Sequence, residues 1–246
     1  MKFRSVVFAL FAIAPPVFAA DAHWSYQDEH GPAHWAELDT HFTECKLGHA
    51  QSPIDIRKAA RKSDLPDLVF QYNDAPLRVV NNGHTVQVNE DGGGTLTIGD
   101  HAYKLAQFHF HTPSEERING KPYDMVAHMV HKDDAGKLAV VAVLFKRGRE
   151  TAALNAVFDN MPIAAGPEHA VAGMNFNVAS LLPVQQGYYH FMGSLTTPPC
   201  SEGVSWYVLK TPVEVSAAQL KRLHMLYNHN NRPVQPLNAR EVVEHI

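Results

Sequence analysis

Residues 102–111, AYKLAQFHFH, read as a β-strand. Side chains alternate between the two faces of a strand, so Gln107, His109 and His111 point the same way and two imidazoles project from one side. A second strand-like run, Tyr123 to Lys132, follows a loop carrying Asn119, Gly120 and Pro122, and places Val126, His128 and Val130 on a common face. Antiparallel pairing of the two runs brings His128 beside the other two histidines. Three neutral imidazoles leave one position of a tetrahedral Zn²⁺ open for water, as a catalytic rather than a structural zinc site requires. The His-x-His pair carries little weight alone, because a chain with 16 His yields about one by chance. Exposed or hydrogen-bonded strand histidines are the alternative reading.

Outward from this pair, further strand-like runs recur at Thr85–Asn89, Thr95–Ile98, Leu138–Lys146, Tyr188–Met192 and Val204–Lys210, separated by turn signals such as Asp91-Gly92-Gly93-Gly94 and Gly99-Asp100. Helical patterns are few, chiefly Thr151–Asp159 and Ser216–Tyr227, where Ser216 suits an N-cap. The pattern predicts a mainly β (α+β) fold with a large, mostly antiparallel, twisted central sheet and short peripheral helices. No repeat, low-complexity tract or linker interrupts the chain, so residues 21–246 read as one domain.

The first 20 residues differ from the rest. Lys2 and Arg4 precede an apolar run from Val6 to Ala14, and Val17-Phe18-Ala19-Ala20 offers small residues for cleavage after Ala19 or Ala20. Residues 1–20 thus read as a secretory signal peptide, and the run is shorter than the roughly 20 apolar residues of a membrane anchor. The mature chain is expected to carry no membrane anchor and to reach the periplasm. Cys45 and Cys200 are the two cysteines of the sequence, and an even count in an exported chain favours a disulfide, two free thiols being the alternative. A formal charge of −4, with basic and acidic residues interspersed, leaves no basic stripe for nucleic acid.

Ordered motifs then run through most of the chain: His23-Trp24-Ser25-Tyr26, QSPIDI (51–56), NNGH (81–84), QFHFH (107–111), SLTTPPC (194–200) and NNRPVQPLNAR (230–240). Together they resemble the alpha-class carbonic anhydrases, specifically the exported bacterial kind. The resemblance implies a large central sheet with Zn²⁺ at the bottom of a conical cleft, and reversible hydration of carbon dioxide to bicarbonate, attacked by hydroxide formed on the zinc. His109, His111 and His128 match the zinc ligands. Thr196 and Glu115 match the pair that orients the hydroxide. Val130, Val140, Leu195 and Trp206 match the apolar wall where CO₂ rests, and Thr197 the contact to bicarbonate. His84 matches the proton shuttle, a task that suits a near-neutral pKa, with Tyr26, Asn82 and Gln87 ordering water along its route. Gln107 matches the partner of His109, a backbone carbonyl near Asn230 that of His111, and Cys45 and Cys200 match a disulfide of exported members. A homodimer is compatible with the resemblance.

Two positions depart from the family pattern. Glu116 stands where many members have His, and Val126 stands two residues before the third ligand, where a carboxylate normally accepts the free ring N–H of that ligand. The substituted positions are expected to lie close together, so that Glu116 supplies the acceptor Val126 cannot; a surface glutamate is the alternative. A catalytically silent binding module would normally betray itself by a missing ligand, and none is missing. Another zinc hydrolase would call for a carboxylate base such as HExxH, which the sequence lacks.

Overall fold

The fold comes from a computed structural model that describes residues 23–62 and 64–245. The expected signal peptide, residues 1–20, lies outside the described residues. Ten strands matter for the site: β1 (Leu68–Tyr72), β2 (Ala75–Asn81), β3 (Val86–Asn89), β4 (Gly94–Ile98), β5 (His101–His111), β6 (Met125–Lys132), β7 (Leu138–Arg147), β8 (His169–Phe176), β9 (Tyr188–Ser194) and β10 (Glu202–Leu209). They belong to a 13-stranded sheet in the order β8-β2-β3-β5-β6-β7-β10-β9, extended past β9 by Val243–Glu244 and Ala60–Arg61, with β4 paired to β5 and to β1. Most neighbours are antiparallel; β7 runs parallel to β10 and to Val213–Val215. The mostly β architecture with a large twisted sheet is thus as the strand periodicity predicts.

Alternation along β5 decides what each face does. Phe108 and Phe110 turn to one side and join Ala127, Met129, Val141 and Val143 in the larger core, covered by Leu154, Val157 and Phe158 of α1 (Ala152–Phe158) and by Leu220 and Leu223 of α2 (Ala217–His224). Burial of these apolar side chains is the dominant stabilising contribution, each worth roughly 1.5–3 kcal/mol. The opposite face carries His109 and His111 and a second apolar cluster that includes Val126, Val140, Ala142, Phe191 and Trp206. Ser216 caps α2 by accepting from the Gln219 backbone while the Gln219 side chain accepts from the Ser216 N–H, a closed capping box.

The structure also differs from the sequence reading at several elements. Strands β1, β2 and β8 were not anticipated. The strand expected from Tyr123 starts at Met125, because the Tyr123 N–H is taken by the Ser114 hydroxyl at 2.9 Å instead of by the ladder. The helix expected to reach Tyr227 stops at His224, where the Met225 N–H turns back to the carbonyls of residues 221–223.

Candidate metal centre

Sheet register builds the site row by row. Gln87, His109, His128 and Ala142 are successive cross-strand partners along β3, β5, β6 and β7. Gln107, Val130, Val140, Trp206 and Phe191 form the neighbouring row. One row therefore carries imidazoles and the next carries apolar side chains, both on the same face.

Each histidine is oriented through the ring nitrogen that points away from the centre. His109 Nδ1 donates to Gln107 Oε1 at 2.8 Å, and His111 Nδ1 donates to the Asn230 carbonyl at 2.6 Å. His128 Nε2 donates to the Glu116 carboxylate, 3.1 and 3.2 Å from its two oxygens. The opposite nitrogens, one per ring, lie within 4.8 Å of one another. His111 Nε2 is buried without a hydrogen-bond partner, as is Glu115 Oε2 beside it. Buried polar atoms without a partner are rare, and three convergent imidazole nitrogens are the donor set of a tetrahedral metal cation. The residues therefore fit a metal ion. Burial, with the nearby His128 charge, pushes His109 down to about 3, and the same causes take His111 well below the ordinary range, so both rings are neutral. Burial also opposes charging of His128, but the charge and hydrogen bond of Glu116, together with Glu115, leave it raised overall.

Glu115 is buried beside this centre, its Oε2 3.6 Å from His111 Nε2 and 3.8 Å from His128 Nδ1. Burial pushes its pKa up to about 7, against the opposing pull of His128, with Glu116 adding to the rise and the Thr196 hydroxyl and the Arg232 N–H holding it down. Oε1 accepts from the Arg232 backbone at 2.7 Å. Arg232 itself is buried and spends its guanidinium on Gln51 Oε1 and the carbonyls of Ser52 and Cys45, each at 2.8 Å.

The apolar side of the site is equally fixed. Trp206 packs edge-on against the His128 ring, 4.9 Å between centroids, and its indole N–H donates to the Ser194 carbonyl at 3.0 Å. Val130 and Leu195 pack against the same cluster as Val140 and Trp206. Gly193 leaves room for this ring, since a Cβ there would meet Ser52 Oγ at 2.1 Å and Trp206 Cδ1 at 2.8 Å. Thr196 is buried and Thr197 half-buried on the segment that follows β9. The Thr197 carbonyl accepts from the Cys200 N–H at 2.8 Å, and Cys200 is bonded to Cys45 across 155 residues.

Farther out, His84 and Tyr26 line a cavity of about 320 Å³. Trp24 lies flat on the His84 ring, with centroids 3.7 Å apart and planes 7° from parallel. Burial, and then the charge of His23, lowers the His84 pKa. Asn82 Oδ1 holds the N–H groups of His84 and Thr85 at 3.0 and 2.9 Å, and its amide donates to Gln87 Oε1 at 3.4 Å. Burial, with the charges of Glu115 and Tyr227, raises the Tyr26 phenol well above its usual range.

The structure thus brings Gln107, Glu115 and Glu116 around the three histidines, sets Val130, Val140, Leu195 and Trp206 in one apolar cluster, and lines a cavity with His84 and Tyr26. Sequence reasoning passed over Arg232, Trp24 and the Asn230 side chain, whose Oδ1 accepts from the Thr112 N–H and whose amide donates to the Phe110 carbonyl, both at 2.9 Å. All three sat inside recognised motifs. No periodicity distinguishes a buried arginine from a solvated one, and that signal was missing.

The comparisons with known proteins agree with this geometry. Residues 30–246 match the family profile of the eukaryotic-type carbonic anhydrases. A carbonic anhydrase of Klebsiella pneumoniae is 44% identical over 244 residues, covering 98% of this chain and 98% of that protein. One of Neisseria gonorrhoeae is 42% identical over 243 residues, covering 96% and 95%. The solved alpha-carbonic anhydrase of Thermovibrio ammonificans, in complex with the inhibitor sulfanilamide, superposes with a TM-score of 0.87 at 44% identity, covering 91% of this chain and 100% of that one. With the fold, the histidine centre and near-full-length relatives in agreement, the chain belongs to the eukaryotic-type, or alpha-class, carbonic anhydrase family of enzymes.

Proposed function

We propose that this enzyme hydrates carbon dioxide reversibly to bicarbonate and a proton, with Zn²⁺ held by His109 Nε2, His111 Nε2 and His128 Nδ1. The observation that carries the reading is the convergence of three ring nitrogens within 4.8 Å, each ring fixed through its other nitrogen. Zn²⁺ bound there supplies the charge that lowers the pKa of water from about 15.7 to about 7. Thr196 is placed to accept a hydrogen bond from the attacking oxygen and to donate its own to the Glu115 carboxylate, whose Oε1 is already held by the Arg232 N–H and whose Oε2 is free to accept; this leaves one orientation for attack. CO₂, weakly polar, rests against Val130, Val140, Leu195 and Trp206, and Thr197 contacts the product.

The proton leaves through His84, with Tyr26, Asn82 and Gln87 ordering water on the way. This route is supported by the pairing of Gln87 with His109 across the sheet, the Asn82 amide that donates to Gln87, and the cavity that His84 and Tyr26 share. We take residues 1–20 as a cleaved signal peptide and the periplasm as the destination, a reading supported by the Cys45–Cys200 disulfide, which suits an oxidising compartment. Among the described residues no helix is long and apolar enough to cross a membrane. The purified protein is expected to carry one zinc per chain and to hydrate CO₂ in a stopped-flow indicator assay, with a sulfonamide blocking the reaction. Zinc-loaded protein that leaves the uncatalysed rate unchanged would overturn the proposal.

A further inference from the structure

Two of the three histidines take their orienting partner from the sheet or from a neighbouring backbone, whereas the third takes it from a loop. Gln107 lies two residues before His109 on the same face of β5 and reaches its Nδ1 at 2.8 Å. The corresponding position before His128 on β6 is Val126, fully buried in the apolar cluster and unable to accept a hydrogen bond. The carboxylate at His128 Nε2 instead belongs to Glu116, also fully buried.

Glu116 is carried by a compact support. The Ser114 hydroxyl donates to the Glu116 carbonyl at 2.7 Å. Immediately after it, Arg117–Ile118 pairs with Asp55–Ile56 in parallel and with Lys121–Pro122 in antiparallel. Asp55 closes the turn by accepting from the Gly120 N–H at 2.8 Å. Glu115 and Glu116, adjacent in sequence, thereby flank the same ring, one carboxylate near Nδ1 and the other at Nε2.

We infer that Glu116 is the positioning residue for His128: it selects the tautomer that leaves Nδ1 free and anchors the ring, so that metal retention at the third ligand is set by the 114–122 loop and not by the strand bearing the ligand. The inference rests on the metal centre proposed above. A carboxylate partner raises the basicity of a ligating imidazole, and loss of such a partner typically costs about 10- to 100-fold in metal affinity.

The test is the rate at which zinc-loaded protein loses metal to excess dipicolinate, followed by zinc analysis of the chelator fraction. Glu116→Gln keeps the volume and an acceptor but removes the charge, and is expected to lose zinc about 10-fold faster than the parent; Glu116→Ala, without any acceptor, is expected to lose it faster still, up to about 100-fold. A residue that merely fills space would leave the isosteric Gln variant at the parent rate, and that result overturns the assignment even if the Ala variant fails to fold. A parent chain that takes up no zinc overturns the metal centre as a whole, whereas a parent that holds zinc beside a Gln variant that loses it no faster overturns the role of Glu116 alone.

Discussion

At His84, the proposed exit for the proton, an aromatic ring lies flat on the imidazole. The indole of Trp24 covers one face of the imidazole, and burial lowers the pKa of the ring, so the stacked form gives up its proton readily but picks one up less easily. Replacing Trp24 with Ala exposes the ring and is expected to move its pKa up, shifting the pH midpoint of maximal turnover in weak buffer to higher pH; an unshifted midpoint counts against this role for Trp24. His84→Ala is expected to lower maximal turnover in weak buffer at unchanged zinc content, with imidazole restoring part of the loss. At this scale the pair His109 and His111 is legible because spacing on a strand is arithmetic: two residues apart means one face. Trp24 is not, because its contact with His84 joins segments 60 residues apart and leaves no local trace.

Among the elements, the segment joining β9 to β10 holds the hydroxyl of Thr196 in place. It is tied at one end by the sheet and at the other by the Cys45–Cys200 bridge. Closing so long a loop stabilises the folded chain by up to about 4–5 kcal/mol in the chain-entropy model. Reduction is therefore expected to lower the urea midpoint and, because the bridge lies four residues after Thr196, to lower kcat as well; unchanged turnover in verified reduced protein would confine the bridge to stability. Strands β5, β6 and β7 were read within two residues of their ends because both periodicity and length were strong. Strand β8, His169–Phe176, escaped because its side chains are mostly exposed and its pairing with β2 is irregular between Ala170 and Asn175, so no alternation of apolar and polar residues marks it. Strand β2 escaped although it alternates from Ala75 to Val79, because Pro76 near its start reads as a strand breaker.

For the whole molecule, Glu90 contributes to the pH response of stability from outside the metal centre. Glu90 is buried on β3's continuation with Oε2 unpartnered, and burial raises its pKa to about 7. A carboxyl whose folded pKa exceeds its unfolded value contributes full stability below the ordinary carboxylate range and loses it as pH rises through 7. Glu90→Gln is expected to match the parent near pH 4 and to exceed it at pH 8 by on the order of 2 kcal/mol in urea unfolding; parallel pH curves for the two proteins would remove Glu90 as the cause. The alternation along β5 has a further consequence for assembly. A slip of β5 by one residue against β6 would turn Phe108 and Phe110 into the catalytic opening and drive His109 and His111 into the hydrocarbon interior. Mispaired molecules are then not feeble enzymes but greasy, unstable ones, conspicuous to proteases. Selection for a dry interior thus proofreads the catalytic centre without any need to sense catalysis.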